Sequence, residues 1–357
     1  MRTFDQLLAA YMSGSLTPRT HVVEAGRIGP FPESRLTSFD TASAQALDAG
    51  VAALRSGKWA RLVLNGGMAT RFGGTVKGIC QVYDSLSFLE LKILQVERLE
   101  KSLGLEEIPI ALMNSVATDG PTNDFLRQRR WFGRHRLTTF MQEDFPRLTP
   151  DGQPFKMKGL DRAPRGHGDF LWALQDSGLM RRWREEGVSH IDFSNIDNLG
   201  ATLEPDLMGL FLLSGRDMAV ELSRKNKGDQ GGAACLRDGV AGVLEGIYFP
   251  PGFDSGHLTF FNTNNLMFSM ESLERLVSDY HFTLPWNVVV KKVEGREVLQ
   301  FERIAIDLVF AFNRRPQDDH VLFLGVPREG SRGRFYPVKS PEDLELMRPK
   351  LRERLSV

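Results

Sequence analysis

Little in this 357-residue chain is extreme, and what is scarce narrows its class. Cysteine occurs only twice, at Cys80 and Cys235, far apart, with no Cys-x-x-Cys spacing and no histidine cluster to complete a zinc site. That excludes a disulfide scaffold and points to a reduced, cytoplasmic protein. No charge dominates either: Lys plus Arg and Asp plus Glu number 45 each. There is then no general electrostatic reason to expect nucleic acid or an anionic membrane as partner. No segment reaches the roughly 18 consecutive apolar residues of a membrane span. The N-terminal "MRTFDQLLAAYMSGS" has only a short, interrupted apolar patch and no cleavage signal, so the expectation is a protein neither secreted nor embedded. Internal repeats, low-complexity tracts and linkers are also missing. With 41% hydrophobic and 25% charged residues the composition is that of ordinary soluble domains. A single domain with elaborations is expected, a two-domain split being the alternative.

What is present is alternation. Residues 1–58 read as a helical N-terminal segment, with "FDQLLAAYM" and "ASAQALDAGVAALRSG" each spaced for one apolar face. From Arg61 onward the pattern gives a strand at 61–65, a helix at 86–103, a strand at 108–114, a helix at 121–131 and a strand at 137–142. A helix at 169–186 and a strand at 188–194 continue it. Strands alternating with helices predict a mostly parallel sheet covered on both faces. After about residue 218, "MAVELSRK", "GGAACLRDG" and "AGVLEGIYF" are separated by turns, which predicts an antiparallel elaboration. The last part returns to a strand, "PWNVVVKK", and then to a helix, "VLQFERIAIDLVFAF".

In such sheets ligands sit beyond the carboxyl ends of the strands. The first such end is "LVLNGGMATRFGGTVKG", residues 62–78, where apolar chain gives way to glycines with Arg71 and Lys77 close by. Uncovered backbone N–H groups form a concavity for phosphate oxygens, which suits a nucleoside triphosphate. The stretch is neither a Walker A loop nor a dinucleotide fingerprint, and a Gly-rich turn serving packing alone is the competing reading. "NIDNLG", residues 195–200, sets Asp197 just after an apolar strand. There it either holds magnesium together with substrate phosphates or caps a turn. "APRGHGDFLWAL" flanks His167 with Gly166 and Gly168, which would let a base or phosphate approach the main chain, ahead of a helix capped by Asp169. "FFNTNNLMF" carries three asparagines between apolar residues, suited to sugar hydroxyls or to a hydrogen-bonded turn. "VVVKK" ends an apolar strand on Lys291 and Lys292, one of them facing the pocket.

Taken in order, "LNGGMATRFGG", "VKG", "MQEDFPRL", "PRGHGD", "NIDNLGAT", "FNTNN", "VVVKK" and "RGRFYPVKSPEDL" resemble the uridylyltransferases that make UDP-sugars from UTP and a sugar 1-phosphate. That group contains UDP-glucose pyrophosphorylase and UDP-N-acetylhexosamine pyrophosphorylase. The resemblance runs from about residue 60 to about 345 and departs at Ala69, where the family loop has a third glycine. The chain stops at Val357, without room for the C-terminal β-helical domain of the eukaryotic UDP-glucose enzymes, so the resemblance implies no oligomeric state. It implies a Rossmann-like nucleotidyltransferase core, residues 59–357, acting on UTP and a hexose 1-phosphate, glucose 1-phosphate first. An N-acetylhexosamine 1-phosphate, or a catalytically silent uridine-nucleotide-binding protein, is the alternative. Carried over by position, the main chain of Leu64, Asn65, Gly66 and Gly67 would contact the nucleotide. Gln142 and Gly166 would read uracil, and His167 would sit near the phosphates. Arg71 and Lys77 would bind the triphosphate, and Asp197 would hold Mg2+. Asn198, Glu245, Asn262 and Asn264 would line the sugar. Lys292, or Lys291 in the other register, would contact the sugar phosphate.

Overall fold

The stretch "WARLVL" is apolar at every position but one because the strand it forms is covered on both faces. In the computed structural model, which describes residues 3–69, 74–83, 85–226, 229 and 231–355, Trp59–Leu64 is buried throughout. Its alternate residues feed two cores: Ala60, Leu62 and Leu64 one, Trp59 and Val63 the other. Arg71 lies outside the described residues.

Eight strands form the continuous path of the sheet. They are β1 (Leu36–Ser38), β2 (Trp59–Leu64), β3 (Ile110–Asn114), β4 (Leu137–Met141), β5 (His190–Asn195), β6 (Met218–Arg224), β7 (Phe260–Ser269) and β8 (Val321–Gly325). Their spatial order is β1-β8-β6-β7-β5-β2-β3-β4. All neighbours are parallel except at β7, which runs antiparallel to both β5 and β6. The expected antiparallel elaboration is the hairpin Ala233–Arg237 with Val240–Leu244, attached to the start of β7 and to Ile28–Pro30. "MAVELSRK", expected within it, instead forms β6 in the central sheet.

The N-terminal 58 residues are not one helical block. Helices α1 (Phe4–Met12) and α2 (Ala44–Arg55) form, but between them β1 joins the central sheet at its edge. Helix α2 and the helix Pro205–Ser214 pack so closely that a Cβ on Gly50 would overlap the Pro205 carbonyl and one on Gly209 the Ala46 carbonyl. Helix Phe88–Leu103 starts with a Ser87/Glu90 capping box and stops at left-handed Gly104. The helix expected at 169–186 is two, Phe170–Asp176 and Leu179–Glu185, because Gly178 between them adopts φ 75°. "VVVKK" and "VLQFE" pair as a separate hairpin, Asn287–Val293 with Arg296–Glu302, so only 308–312 of the expected final helix is α-helical. Helix α1 packs Leu7 against Phe145, Trp286, Val288 and Phe301, which props this hairpin from behind.

One core contains a buried charge network. Arg61, Lys92 and Arg334 lie among Asp192, Glu221 and Glu204, and Arg334 meets Glu221 on both sides of its fork. Lys92 Nζ donates to the carbonyls of Asn198 (2.6 Å) and Ala201 (3.1 Å), and Arg334 Nη1 to that of Thr202 (2.8 Å). Burial and then the nearby Arg61 guanidinium hold the Lys92 ammonium well below its usual range. These cations fasten the "NIDNLGAT" turn from beneath. Among the described residues, no helix is long and apolar enough to cross a membrane.

Candidate active site

At the carboxyl ends of β2, β4 and β5 the chain opens a cleft of about 540 Å³. Its lining includes Leu64, Gly66, Gly67, Lys77, Gln142, Gly166, His167 and Asp197, so eight of the expected residues converge from five separate stretches of sequence.

The glycine turn presents backbone. The Asn65 side chain points inward, its Nδ2 donating to Asn114 Oδ1 (2.8 Å) and Thr122 Oγ1 (2.9 Å), so it pins the turn and leaves the main chain to the cleft. Ser115 Oγ donates to the Gly66 carbonyl (2.9 Å) and the Lys77 N–H to that of Gly67 (3.2 Å). A Cβ on Gly66 would come within 2.5 Å of Gln142 Nε2, so the missing side chain is what lets that amide lie over the turn. Gln142 Oε1 is buried and has no hydrogen-bond partner among the described residues. Such an atom costs free energy unless a ligand donates to it. Ala69 pairs with Thr75 in a short antiparallel ladder, an extended conformation that does not need glycine.

The opposite wall is set by close backbone packing. Gly166, at φ 85°, presses against Glu302 and Arg303 and Gly168 against Arg303 and Ile304, so these glycines first serve that contact. Arg303 N–H donates to the Arg165 carbonyl (2.8 Å), and Gly168 N–H to that of Arg303 (3.0 Å). The Arg303 guanidinium is fully buried between the Trp172 and Trp286 rings, 3.9 and 4.0 Å from their centroids, with Asp169 at 3.6 Å. Desolvated cation–π contacts of this kind contribute on the order of 2 kcal/mol each. Asp169 is therefore an ion-pair partner, and its side chain caps no helix.

His167 Nδ1 accepts the Ala305 N–H (3.2 Å), which leaves the ring proton on Nε2. Burial pulls the imidazole down to about 4, so it is neutral at pH 7. The unfolded chain takes up its proton near 6.5 and the folded one only near 4. Stability from this group is complete above 6.5 and is lost as pH falls towards 4. The difference in melting temperature between the protein and its His167→Asn variant should shrink between pH 7 and pH 5. A constant difference would mean that His167 is not buried in the neutral form.

Asp197 stands half-buried at the floor. Desolvation holds its carboxyl above the usual range, against the opposing pull of Lys77, Lys339 and Lys92. Lys77 Nζ donates to the Val338 carbonyl, which ties the segment before Lys339 to the glycine turn. Lys339 itself is exposed on the cleft, near enough to act electrostatically on both Asp197 and Glu245. The expectations missed Lys339, whose only signal was "YPVKSPED". Both lysines are exposed, but Lys291 lines the cleft, with its ammonium 2.8 Å from Glu302, and Lys292 lies outside the lining.

Of the residues expected at the sugar, Glu245, Asn262 and Asn264 adjoin this lining. Glu245 Oε1 accepts from Asn262 Nδ2 (3.1 Å), and Asn264 Nδ2 donates to Asn195 Oδ1 (3.0 Å), Asn195 itself lining the cleft. Burial raises the Glu245 carboxyl, with Asn262 opposing. Asn264 sits at φ 58°, beside a register shift between β6 and β7 that aims its side chain at Asn195. Asparagine tolerates that backbone region better than most residues, and strain of this kind gathers at functional sites. Asn198, expected at the sugar, is corrected: it is 1% exposed and bonded to Arg334 O, Asn265 Oδ1, Gly200 N and Tyr336 N. Its four bonds leave nothing for a ligand. Asn265, likewise, serves Glu221 in the charge network.

A glycine turn with cations and one carboxylate at the carboxyl ends of parallel strands places the chain among α/β proteins that grip nucleotide phosphates. Comparison with known proteins narrows the class. The chain belongs to the family UTP--glucose-1-phosphate uridylyltransferase, whose model matches residues 1–354. It is similar to the enzyme of that name from Musa acuminata, 30% identical over 360 residues, covering 98% of this chain and 74% of that protein. It is also similar to the probable enzyme of Schizosaccharomyces pombe, 32% identical over 312 residues, covering 82% of this chain and 59% of that protein. Among solved structures, a UDP-glucose pyrophosphorylase mutant from Leishmania major in complex with UDP-glucose aligns with TM-score 0.78 and 26% identity. That alignment covers 96% of this chain and 74% of that one.

Proposed function

We propose that the protein joins UTP and glucose 1-phosphate into UDP-glucose and pyrophosphate. Gln142 carries this reading, because its buried, unpartnered Oε1 above a glycine turn can accept the N3–H of uracil while Nε2 donates to a ring carbonyl. The names of the relatives and of the solved structures favour glucose over an N-acetylhexosamine. Cys80 and Cys235 are free and buried, which suits a reducing compartment, and we place the reaction in the cytoplasm.

The sugar phosphate is already an ionised nucleophile, so no strong base is required. Its oxygen attacks the α-phosphorus of UTP, the bond to the bridging oxygen breaks, and pyrophosphate leaves with the electron pair. Glu245, Asn262 and Asn264 orient the hexose. Lys339 and Lys291 draw two polyanions together and oppose the charge that grows on the reacting phosphates. Gly66 and Gly67 present main chain to the nucleotide, and the Nε2–H of His167 donates to a phosphate oxygen. Among the described residues no three His, Cys, Asp or Glu side chains could together hold a metal. A lone carboxylate at Asp197 fits Mg2+ whose other ligands are water and substrate phosphates, and when bound the ion would neutralise part of their charge.

The hairpin register distinguishes the paired lysines. Lys291→Ala should raise KM for glucose 1-phosphate about tenfold, the loss of one charge-assisted contact, whereas Lys292→Ala should change it less than about twofold. Steady-state kinetics showing the reverse order would reassign the phosphate contact. Pyrophosphate release tests the reaction itself, with UTP and magnesium against glucose, galactose, N-acetylglucosamine and N-acetylgalactosamine 1-phosphates. Release chiefly with glucose 1-phosphate is expected. Silence with all four from protein that binds UTP would leave a nucleotide-binding protein without this chemistry.

A further inference from the structure

Behind the turn that carries Glu245 lies a second cavity of about 440 Å³, which shares no lining residue with the cleft. Arg237 projects from the elaborating hairpin, half-buried, its guanidinium 3.6 Å from the centroid of the Phe310 ring. Among the described residues its guanidinium has no hydrogen bond and no ion pair. A planar fork of donors partly removed from water and held flat on a ring is a receptor for an oxyanion. Phe282, Leu284 and Pro285 make the facing surface apolar.

The other ionisable groups permit an anion. Arg314 lines the rim, and the Asp279 carboxylate is engaged by the His281 N–H (3.0 Å). A ring nitrogen of His21 bonds the Trp286 carbonyl (3.1 Å). At the floor, Tyr248 Oη donates to Asp307 Oδ2 (2.5 Å). Burial pushes that carboxyl up to about 7, which reduces its negative charge at neutral pH.

We propose that this cavity binds a small oxyanion borne on a flat, apolar body, such as an aromatic phosphomonoester or carboxylate, with Arg237 as its anchor. The floor connects the cavity to the substrate cleft. Tyr248 Oη accepts from Asn287 Nδ2 (2.9 Å), at the start of the strand that carries Lys291. The Tyr248 N–H donates to the Glu245 carbonyl (2.9 Å), one turn from the sugar-side cluster. An occupant that moves Tyr248 therefore pulls on the strand that carries Lys291 and on the turn that carries Glu245, and the consequence for turnover rests on the function proposed above; the binding does not.

Calorimetric titration of the full chain with phenyl phosphate tests the site, with the cleft saturated by UDP-glucose. One saturable site is expected, weakened at least about tenfold by Arg237→Gln and partly restored by Arg237→Lys. Inorganic phosphate, which lacks the ring, should bind more weakly than phenyl phosphate, and benzoate should compete with it. Equal binding by the protein and a folded Arg237→Gln variant would overturn the proposal. So would binding that UDP-glucose abolishes, or no saturable binding. If UDP-glucose itself does not bind, the functional reading fails, while the Arg237 comparison on free protein still decides this one.

Discussion

Asp197→Asn will lower kcat by about 100- to 1000-fold, the range seen when one positioned electrostatic group is removed from a transition state, and will leave the fold intact. The two parts of this expectation have separate causes. The carboxylate makes no ion pair and no hydrogen bond with another described residue, and the substitution keeps its shape. The turn is instead held by its main chain: the Asp197 carbonyl accepts the Val338 N–H at 3.3 Å, and Lys92 grips the carbonyls of Asn198 and Ala201. Turnover should recover partly at high magnesium if the lost group is a metal ligand. Wild-type kcat at saturating magnesium would remove Asp197 from the chemistry.

Arg334→Leu carries the largest expected effect on stability, a loss of about 3–5 kcal/mol, because it leaves Glu221 buried without its partner. Arg334 is 1% exposed and Glu221 2%, so water cannot take over the lost bonds. Adding Glu221→Leu should return much of the loss, since an apolar pair avoids the stranded charge. Urea unfolding of the two single variants and the double variant measures this directly. A double variant no more stable than Arg334→Leu would show that the Arg334 side chain contributes through its other partners, Thr202 and Glu204, rather than through Glu221.

The two expectations differ in how far the sequence foretold them. The cleft's glycines, His167 and Asp197 stand in contiguous stretches that follow apolar strands, and strand ends are readable from local pattern. The charge network is not local. Arg61 lies inside a strand that reads as apolar, and its partners Asp192, Ser194 and Ala201 come from more than 130 positions away. No periodicity marks such a residue. The family resemblance carries Asn198 over to the sugar, yet the turn rotates Asn195 to the cleft and Asn198 to the interior, and a shift of three residues is beyond what position in a motif can decide. Gly178 was readable as a break in "DSGLM", but the flanking apolar residues continue the helical spacing across it. The choice between Lys291 and Lys292 required the partner strand, because neighbouring residues in a strand face opposite sides and only pairing fixes which side is which.

The place of β8 has a further consequence, for the order in which the chain assembles. It inserts between β1 and β6, so the strands of this path that come first and last in the sequence pair directly, Leu324 opposite Thr37. On the ribosome β1 therefore waits, unpaired along that edge, until the chain past Gly325 has emerged. Closing so long a loop adds little to the equilibrium free energy, because the entropy grows only with the logarithm of its length, but it does delay assembly. Lys339 follows β8 by fourteen residues, so the last cation of the cleft arrives with this late step. A nascent chain released before it would carry the glycine turn and Asp197 without the Lys77 tether to Val338, its cleft open before it was complete.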